Sequence, residues 1–366
     1  MTLPSHVINF AAGDKDTVLL FDSFKDYWNQ YRSQNGKKSF EYVPGVTLEQ
    51  KGKDLNEAMV REIGKRAGVD FTSAPIANFA NHPTVVWAAG LLSSMLIEAI
   101  LPDTIIESTG AYAEIRQLAL GETGLFDISS RDLFPVSKAG RLGMRTAEVH
   151  KGFEGQVTLN PEFRQMSVGV NMLRVLTGLE SLAKFTVKAL RSLETAMTQD
   201  IYDTFATAMG NLTVNATTGL RVAGYTQKDL VQLSQRVSAF NGGAAPVVLG
   251  TKAALLSVFP DDANYRYDIE SEYVKLGYMR VISGIDVFEL PQVANWASPF
   301  STYIADDRLF IVAPGVDKLV KVVLGGDMIS NVSGVYDHAT LTQDATLIKG
   351  WKAGVVTSSV AAIITL

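Results

Sequence analysis

The sequence predicts an α+β protein in which one long helix accompanies many short strands. From Leu179 to Met209, apolar residues recur every three or four positions, which is typical of a helix. Segments rich in β-branched residues, such as RLFIVAPG and KLVKVVLGG, predict strands in the later part of the chain. No fixed-period repeat is present, which argues against solenoids and propellers.

Composition limits the classes of function. The chain has 366 residues, 47% of them hydrophobic, which is more than one core usually holds, so we expect two lobes. With 33 Lys and Arg against 38 Asp and Glu, it lacks the basic footprint of a tight nucleic-acid binder. It contains no Cys, which excludes disulfides, thiolate metal sites and a Cys nucleophile.

The first 50 residues predict an arm that carries one amphipathic helix. Phe21, Phe24, Trp28 and Tyr31 recur at helical spacing and are candidate anchors on a neighbouring subunit. The alternative, a helix packed on its own subunit, fits the same pattern. A second helix is expected over 54–68, where Asp54 can cap the start and Gly68 the end.

An apolar helix is predicted over 83–101, between Pro83 and Pro102. Its most membrane-like stretch, TVVWAAGLLSSMLI (84–97), is shorter than the ~20 residues that a bilayer requires, so we expect a buried helix and no membrane partner. The N-terminus shows no basic region followed by an apolar one, so the chain is expected in the cytoplasm when it is made.

A strand at AYAEIRQLAL is followed by a long projecting hairpin over 124–160, a stretch with too few periodic apolar residues for a core of its own. Its charged residues are mainly basic. Arg131, Lys138, Arg141 and Arg145 are therefore candidates for contacts with another subunit, and a solvated basic loop is the alternative.

The remaining segments are mixed helix and strand. Thr226 and Asp229 resemble a capping box before the apolar stripe of a helix that breaks at Gly242 and Gly243. The chain ends on WKAGVVTSSVAAIITL, which has no charge after Lys352. Because free termini usually fray, Leu366 is expected to be held in a sheet or against a neighbour.

Chemistry-bearing motifs are missing from the sequence. Its four histidines are far apart, and neither a phosphate-binding glycine loop nor a nucleophile elbow is found. The Asp pairs at 261–262 and 306–307 are typical of solvated turns. We therefore expect no enzymatic activity, no catalytic residues, no cofactor and no bound metal.

The order of these parts resembles the major capsid proteins of tailed bacteriophages with the Hong Kong 97 fold, a fold that encapsulin shells share. The resemblance covers roughly 110–366 and is strengthened by PVVLGTKAALLSVFP (246–260), GIDVFELP (284–291) and LIKGWKAGVVTSSVAAIITL (347–366). It implies an N-terminal arm, an extended β-hairpin loop, a long spine helix, a peripheral domain and an axial domain.

The resemblance divides the chain into five parts. They are an N-terminal arm and helical region (1–110), the extended hairpin loop with flanking peripheral strands (111–170), the peripheral domain with the spine helix (171–225), the axial domain (226–325) and a C-terminal return to the peripheral domain (326–366). The implied function is structural. Hexamers and pentamers of the chain form an icosahedral viral shell around double-stranded DNA, without sequence-specific binding.

The implied location is the virion capsid, assembled in the host cytoplasm, and the further partners are portal, scaffolding and decoration proteins. Two alternatives stay open: an encapsulin-type nanocompartment shell and a cytosolic α/β enzyme with an unrecognised site. Some members of the family join a hairpin Lys to an Asn of another subunit. Lys138 and Asn331, with Asp327 nearby, are the matching candidates, but such residues are common at turns and we expect no cross-link.

Overall fold

The protein was analysed as a computed structural model that describes residues 15–35, 40–73, 75–80, 82–110, 112–129, 154–211, 219–258, 276–295, 298, 300–337, 342–356 and 359–366. Seven helices lie in these ranges: α1 (Lys15–Asn35), α2 (Leu48–Ala67), α3 (Pro83–Thr109), α4 (Met172–Leu176), α5 (Leu182–Asn211), α6 (Gln227–Phe240) and α7 (Lys252–Leu256). A short 3-10 turn spans Ile76–Asn78.

The described strands form two sheets and two ribbons. The four-stranded sheet has the order β1 (Ala113–Leu118), β12 (Val320–Asp337), β13 (Thr342–Val355) and β4 (Glu162–Val170). The six-stranded sheet has the order β5 (Arg221–Ala223), β14 (Ala362–Thr365), β11 (Arg308–Val312), β6 (Val247–Gly250), β8 (Ile285–Glu289) and β7 (Val281–Ile282). The ribbons are β2 (Gly124–Ser129) with β3 (Glu154–Leu159), and β9 (Ala294–Asn295) with β10 (Ser301–Thr302). The α+β class is confirmed.

Helix α5 is the 30-residue spine that the sequence predicts, about 45 Å long at 1.5 Å per residue. It packs against both sheets. Phe205 on α5 lies 5.0 Å from the ring of Tyr112, just before β1, and 4.7 Å from the ring of Phe310 in β11. The opposite face of the six-stranded sheet is covered by α6 through Leu230 and Leu233. One helix therefore connects the cores of the two sheets.

The amphipathic stripe of α1 lies in the chain's own core, which corrects the predicted arm. Phe21, Phe24 and Trp28 are 5%, 0% and 2% exposed, and Tyr31 is partly buried against the same core. Side chains that are already covered by α2, α3 and α5 have little surface left for a neighbour. The alternative, a helix packed on its own subunit, describes these residues.

Two other helices differ from the predicted limits. Helix α2 begins earlier, because Thr47 accepts a hydrogen bond from the Gln50 amide at 3.3 Å, and it ends at Gly68 as expected, with a left-handed φ of 67°. Helix α3 continues through Pro102 to Thr109. A proline removes one backbone donor, and burial on both sides of Pro102 favours continuing the helix.

With its full length, α3 is the one helix among the described residues that is long and apolar enough to cross a membrane. The predicted stretch was therefore too short. In this fold 78% of its most apolar window is buried by the rest of the protein, as expected of a core helix.

The chain end is held in a sheet, as predicted. Strand β14 pairs with β5 and β11, and the Leu366 amide donates to the Asp307 carbonyl at 2.8 Å. However, this is the six-stranded sheet, whereas β12 and β13 lie in the four-stranded one. The segment 326–366, which was predicted to return to the peripheral domain, thus contributes strands to both sheets. Just before β14, the Asn241 side chain holds the chain in place: its amide group donates to the Val360 carbonyl, and the Val360 amide donates to Asn241 Oδ1.

Candidate assembly interface

The ribbon of β2 and β3 is the part of the predicted hairpin that the structure describes, and it forms the base of that hairpin. Its twelve residues pair in antiparallel register from Gly124 opposite Leu159 to Ser129 opposite Glu154. Phe126 and Leu159 pack on Val323 of β12. A Cβ on Gly124 would lie 2.4 Å from Val323, so this close approach requires glycine. Tight packing therefore fixes where the ribbon leaves the sheet.

Four charged residues fix the base further. The Lys321 side chain is 4% exposed, and its Nζ donates to Glu114 Oε2 at 2.6 Å and to the Asp317 carboxylate. Arg116 donates to Glu114 Oε1 at 2.9 Å and to the Leu125 carbonyl of β2 at 2.6 Å. We call Glu114, Arg116, Asp317 and Lys321 the base cluster.

The base cluster also contacts the ribbon's aromatic core residue. The Arg116 guanidinium lies 4.3 Å from the centre of the buried Phe126 ring, and Lys321 Nζ lies 5.9 Å from it. Cations over an aromatic face are attracted by the ring quadrupole, most strongly where water is excluded. Both cations therefore connect the ribbon to β1 and β12.

The pKa of Glu114 reflects this environment. Partial burial raises it, but hydrogen bonds from Lys321 and Arg116, together with their positive charges, outweigh burial and hold the pKa below its ordinary value of 4.5. Glu114 is therefore ionised at neutral pH and available to both cations.

The ribbon leaves part of the sheet uncovered. Gly124 lies against Val323, and Phe126 lies beside Lys321, so the ribbon runs toward the first residues of β12 and away from Ile329. Around Ile329, three strands present one surface, which we call the outer face: Phe163, Gln165, Ser167, Ile329, Asn331, Thr346 and Ile348, related by strand register. Phe163 and Ile329 are 59% and 45% exposed. None of these seven residues is ionisable, and the exposed Asp344 follows on the same side of β13.

A buried ion pair joins α3 to the sheet behind the outer face. Lys349 Nζ donates to Glu98 Oε1 of α3 at 2.7 Å and to the Gly326 carbonyl at 2.6 Å, and the Met328 amide donates to Glu98 Oε2 at 2.8 Å. These contacts meet at the irregularity between Gly325 and Ile329 in β12. Glu98 thus accepts a hydrogen bond from a backbone amide where the regular pairing of β12 with β13 is interrupted.

Of the residues predicted as interface candidates, Arg131, Lys138, Arg141 and Arg145 lie outside the described residues. Sequence reasoning missed the base cluster, although a Lys within the apolar run KLVKVVL was a signal for a buried, paired cation. For the cross-link candidates, Asn331 and Asp327 are both exposed, so Asp327 is not the carboxylate in an apolar pocket that this chemistry requires. In the described part of the chain, no group of three His, Asp or Glu side chains is placed to hold a metal ion.

No family model and no curated protein matches the sequence. Several solved structures are similar in fold. The capsid of the cyanophage P-SCSP1u is 13% identical over 69% of this chain and 86% of that chain, with a TM-score of 0.44. The mature capsid of bacteriophage PhiM1 is 11% identical over 70% and 86%, with a TM-score of 0.42. The virus-like particle from Pyrococcus furiosus is 12% identical over 73% and 97%, with a TM-score of 0.42.

Proposed function

We propose that this chain is the repeating subunit of an icosahedral viral shell that encloses double-stranded DNA. One observation carries the proposal: the ribbon is fixed at its base and runs off one end of a sheet whose other end presents the exposed, mostly uncharged outer face. A chain with a projecting element at one end and an exposed surface at the other suits head-to-tail contacts, which form rings when the rotation between neighbours closes.

In this proposal the hairpin of one subunit extends over its neighbour, and Arg131, Lys138, Arg141 and Arg145 make charge-assisted contacts there. Exposed ion pairs contribute only about 0.2–1 kcal/mol each. Because every subunit of a closed shell repeats them, the sum is sufficient for a durable particle. Deletion of 136–145 is therefore expected to prevent or weaken assembly, and shells of unchanged stability would exclude this role.

The two sheets take different positions in the proposed shell. The four-stranded sheet with α5 forms the peripheral domain, and the six-stranded sheet with α6 forms the axial domain near the centre of each hexamer or pentamer. The role is structural rather than enzymatic. Portal, scaffolding and decoration proteins are the further partners that such a shell uses, with assembly in the host cytoplasm. A formal net charge of −5 suits a lining that must not grip DNA.

Electron microscopy of the purified protein tests the function. We expect closed shells or rings of five and six subunits. A compact monomer at all concentrations would contradict the proposal and favour a cytosolic enzyme. Closed shells that hold protein cargo instead of nuclease-protected DNA would favour the nanocompartment alternative.

A further inference from the structure

Strand β4 is the longest described strand that pairs on one side only. It has nine residues, pairs with β13 in unbroken register along its whole length, and has no described strand on its other side. The opposite edge of the same sheet, β1, has six residues, and the edges of the six-stranded sheet, β5 and β7, have three and two. Short edge strands are one means by which proteins avoid pairing with other chains. The edge of β4 lacks this protection.

Other protective features are also missing from β4. Its sequence, EFRQMSVGV, contains neither Pro nor Lys, the residues that most often block an edge. Its two charged residues have partners within the subunit: Glu162 pairs with Lys352 at 2.6 Å, and Arg164 pairs with Asp200 at 2.9 Å. The free edge therefore offers backbone donors and acceptors to an approaching strand, without an unpaired charge beside them.

The sequence of β4 is complementary to itself about its middle residue, Met166. In an antiparallel pair of two copies centred there, the exposed Phe163 opposes Gly169, and Gln165 opposes Ser167. An aromatic side chain covers the backbone that a strand glycine leaves exposed, and an amide with a hydroxyl forms a cross-strand hydrogen bond. No two charged residues oppose each other in this register, which uses the whole strand.

We propose that β4 of one copy pairs antiparallel with β4 of a second copy, about a two-fold axis at Met166. The inference rests on the proposed shell function: the hairpin contact closes rings, and this contact joins one ring to the next. Opposed residues lie on the same face of the pair, so the outer faces of both copies stay on one side. A closed shell requires this, because all its subunits turn the same face outward. Backbone hydrogen bonds across the edge supply the affinity.

Charge substitutions at two exposed positions test the pairing. Gln165→Lys with Ser167→Lys places like charges directly opposite each other, and it should leave separate rings and raise the concentration needed for closed shells at least about tenfold. The matched control, Gln165→Lys with Ser167→Glu, places Lys opposite Glu twice and should assemble as the wild type does. Electron microscopy over a concentration series measures both. Equal assembly by the two variants, or equal failure, would overturn the pairing.

Disulfide trapping tests the register, because the chain has no native Cys. Gln165→Cys and Ser167→Cys, made as separate chains and mixed, are expected to give covalent dimers with one chain of each kind under mild oxidation. In the control mixture, Asn331→Cys replaces Ser167→Cys. Asn331 is exposed in the same row of the outer face but lies two strands from the β4 edge. No mixed dimer, or an equal yield from the control mixture, would refute the register.

The same experiments separate this inference from the proposed function. Closed shells from the variant with Lys at both 165 and 167, at the wild-type concentration, would refute the pairing of β4 and leave the shell function intact. A wild-type chain that stays monomeric at all concentrations would refute the shell function itself.

Discussion

Two regions of the protein combine carboxylates with cations: the base cluster, and the region where α1 packs on α3 and α5, which we call the seam. The pKa shifts of their carboxylates have opposite signs. At the base, Lys321 and Arg116 donate directly to Glu114, and the pKa of Glu114 is lowered. At the seam, burial raises the pKa of Glu194 despite the nearby positive charges of Arg32 and Arg191. The sign of the shift therefore follows from deeper burial at Glu194 and from direct hydrogen bonds at Glu114.

The partners of the seam cations explain the contrast. Arg32 donates to Glu107 at 2.6 Å, and Arg191 donates to the Tyr31 hydroxyl at 3.0 Å. Glu194 is influenced by their charges while burial disfavours its ionised form. Burial likewise raises the pKa of Asp103 on α3. The seam is held by apolar burial and carries an electrostatic cost, whereas the base depends on its charges.

The largest expected effect on stability tests whether α1 belongs to the core of its own subunit. Trp28→Ala removes a large side chain that is 2% exposed, and it should lower the free energy of unfolding by about 3–5 kcal/mol. Denaturant titration measures this. Leu19→Ala, on the same helix and 61% exposed, should stay within about 0.5 kcal/mol. If both variants had equally small effects, α1 would instead be an arm that is not part of the core.

The next effect tests whether the base depends on charge. Lys321→Met leaves Glu114 and Asp317 without their shared partner, and we expect a loss of roughly 2–3 kcal/mol, less than for a fully buried pair because Glu114 is one-third exposed. The matched control is Lys352→Met, which breaks an exposed pair with Glu162 and should change the free energy of unfolding little. Similar losses in both variants would remove the special role of the base.

Lowering the pH should destabilise the base cluster before it destabilises the seam. The folded pKa of Glu114 is lowered, so its stabilising contribution is present above its unfolded pKa of 4.5 and is lost as the pH falls through the folded value. The protection of β2 and β3 against hydrogen exchange, relative to the intrinsic exchange rate, should therefore fall as the pH is lowered from 4.5, before the protection of α1 does. In Glu114→Gln the ribbon should lose this acid dependence. Faster exchange in α1 than in the ribbon would reverse the comparison.

The smallest expected effect is a gain in stability. The folded pKa of Glu194 is raised, so its contribution is favourable below its unfolded pKa of 4.5 and is lost as the pH rises through the folded value. Glu194→Gln should accordingly raise the melting temperature at pH 7 and have little effect at pH 4. A decrease at pH 7 would show that Glu194 is stabilised as an anion by Arg32 and Arg191.

The sequence by itself determined the features that depend on neighbours along the chain. The period of apolar residues located α5, Thr226 capped α6 by accepting from the Asp229 amide, and Gly68 ended α2. Such signals act over one or two turns, so a local pattern is sufficient to define them.

Tertiary structure decided which surface covers each element. The stripe of α1 fits a neighbour or its own subunit equally well until α3 and α5 are in place. Pro102 was expected to end a helix, but packing along α3 carried the helix past it. Lys321 and Glu114 meet across 207 positions of sequence, and β14 enters a different sheet from β13. Contacts between distant segments leave no periodic pattern, so only the folded chain specifies them.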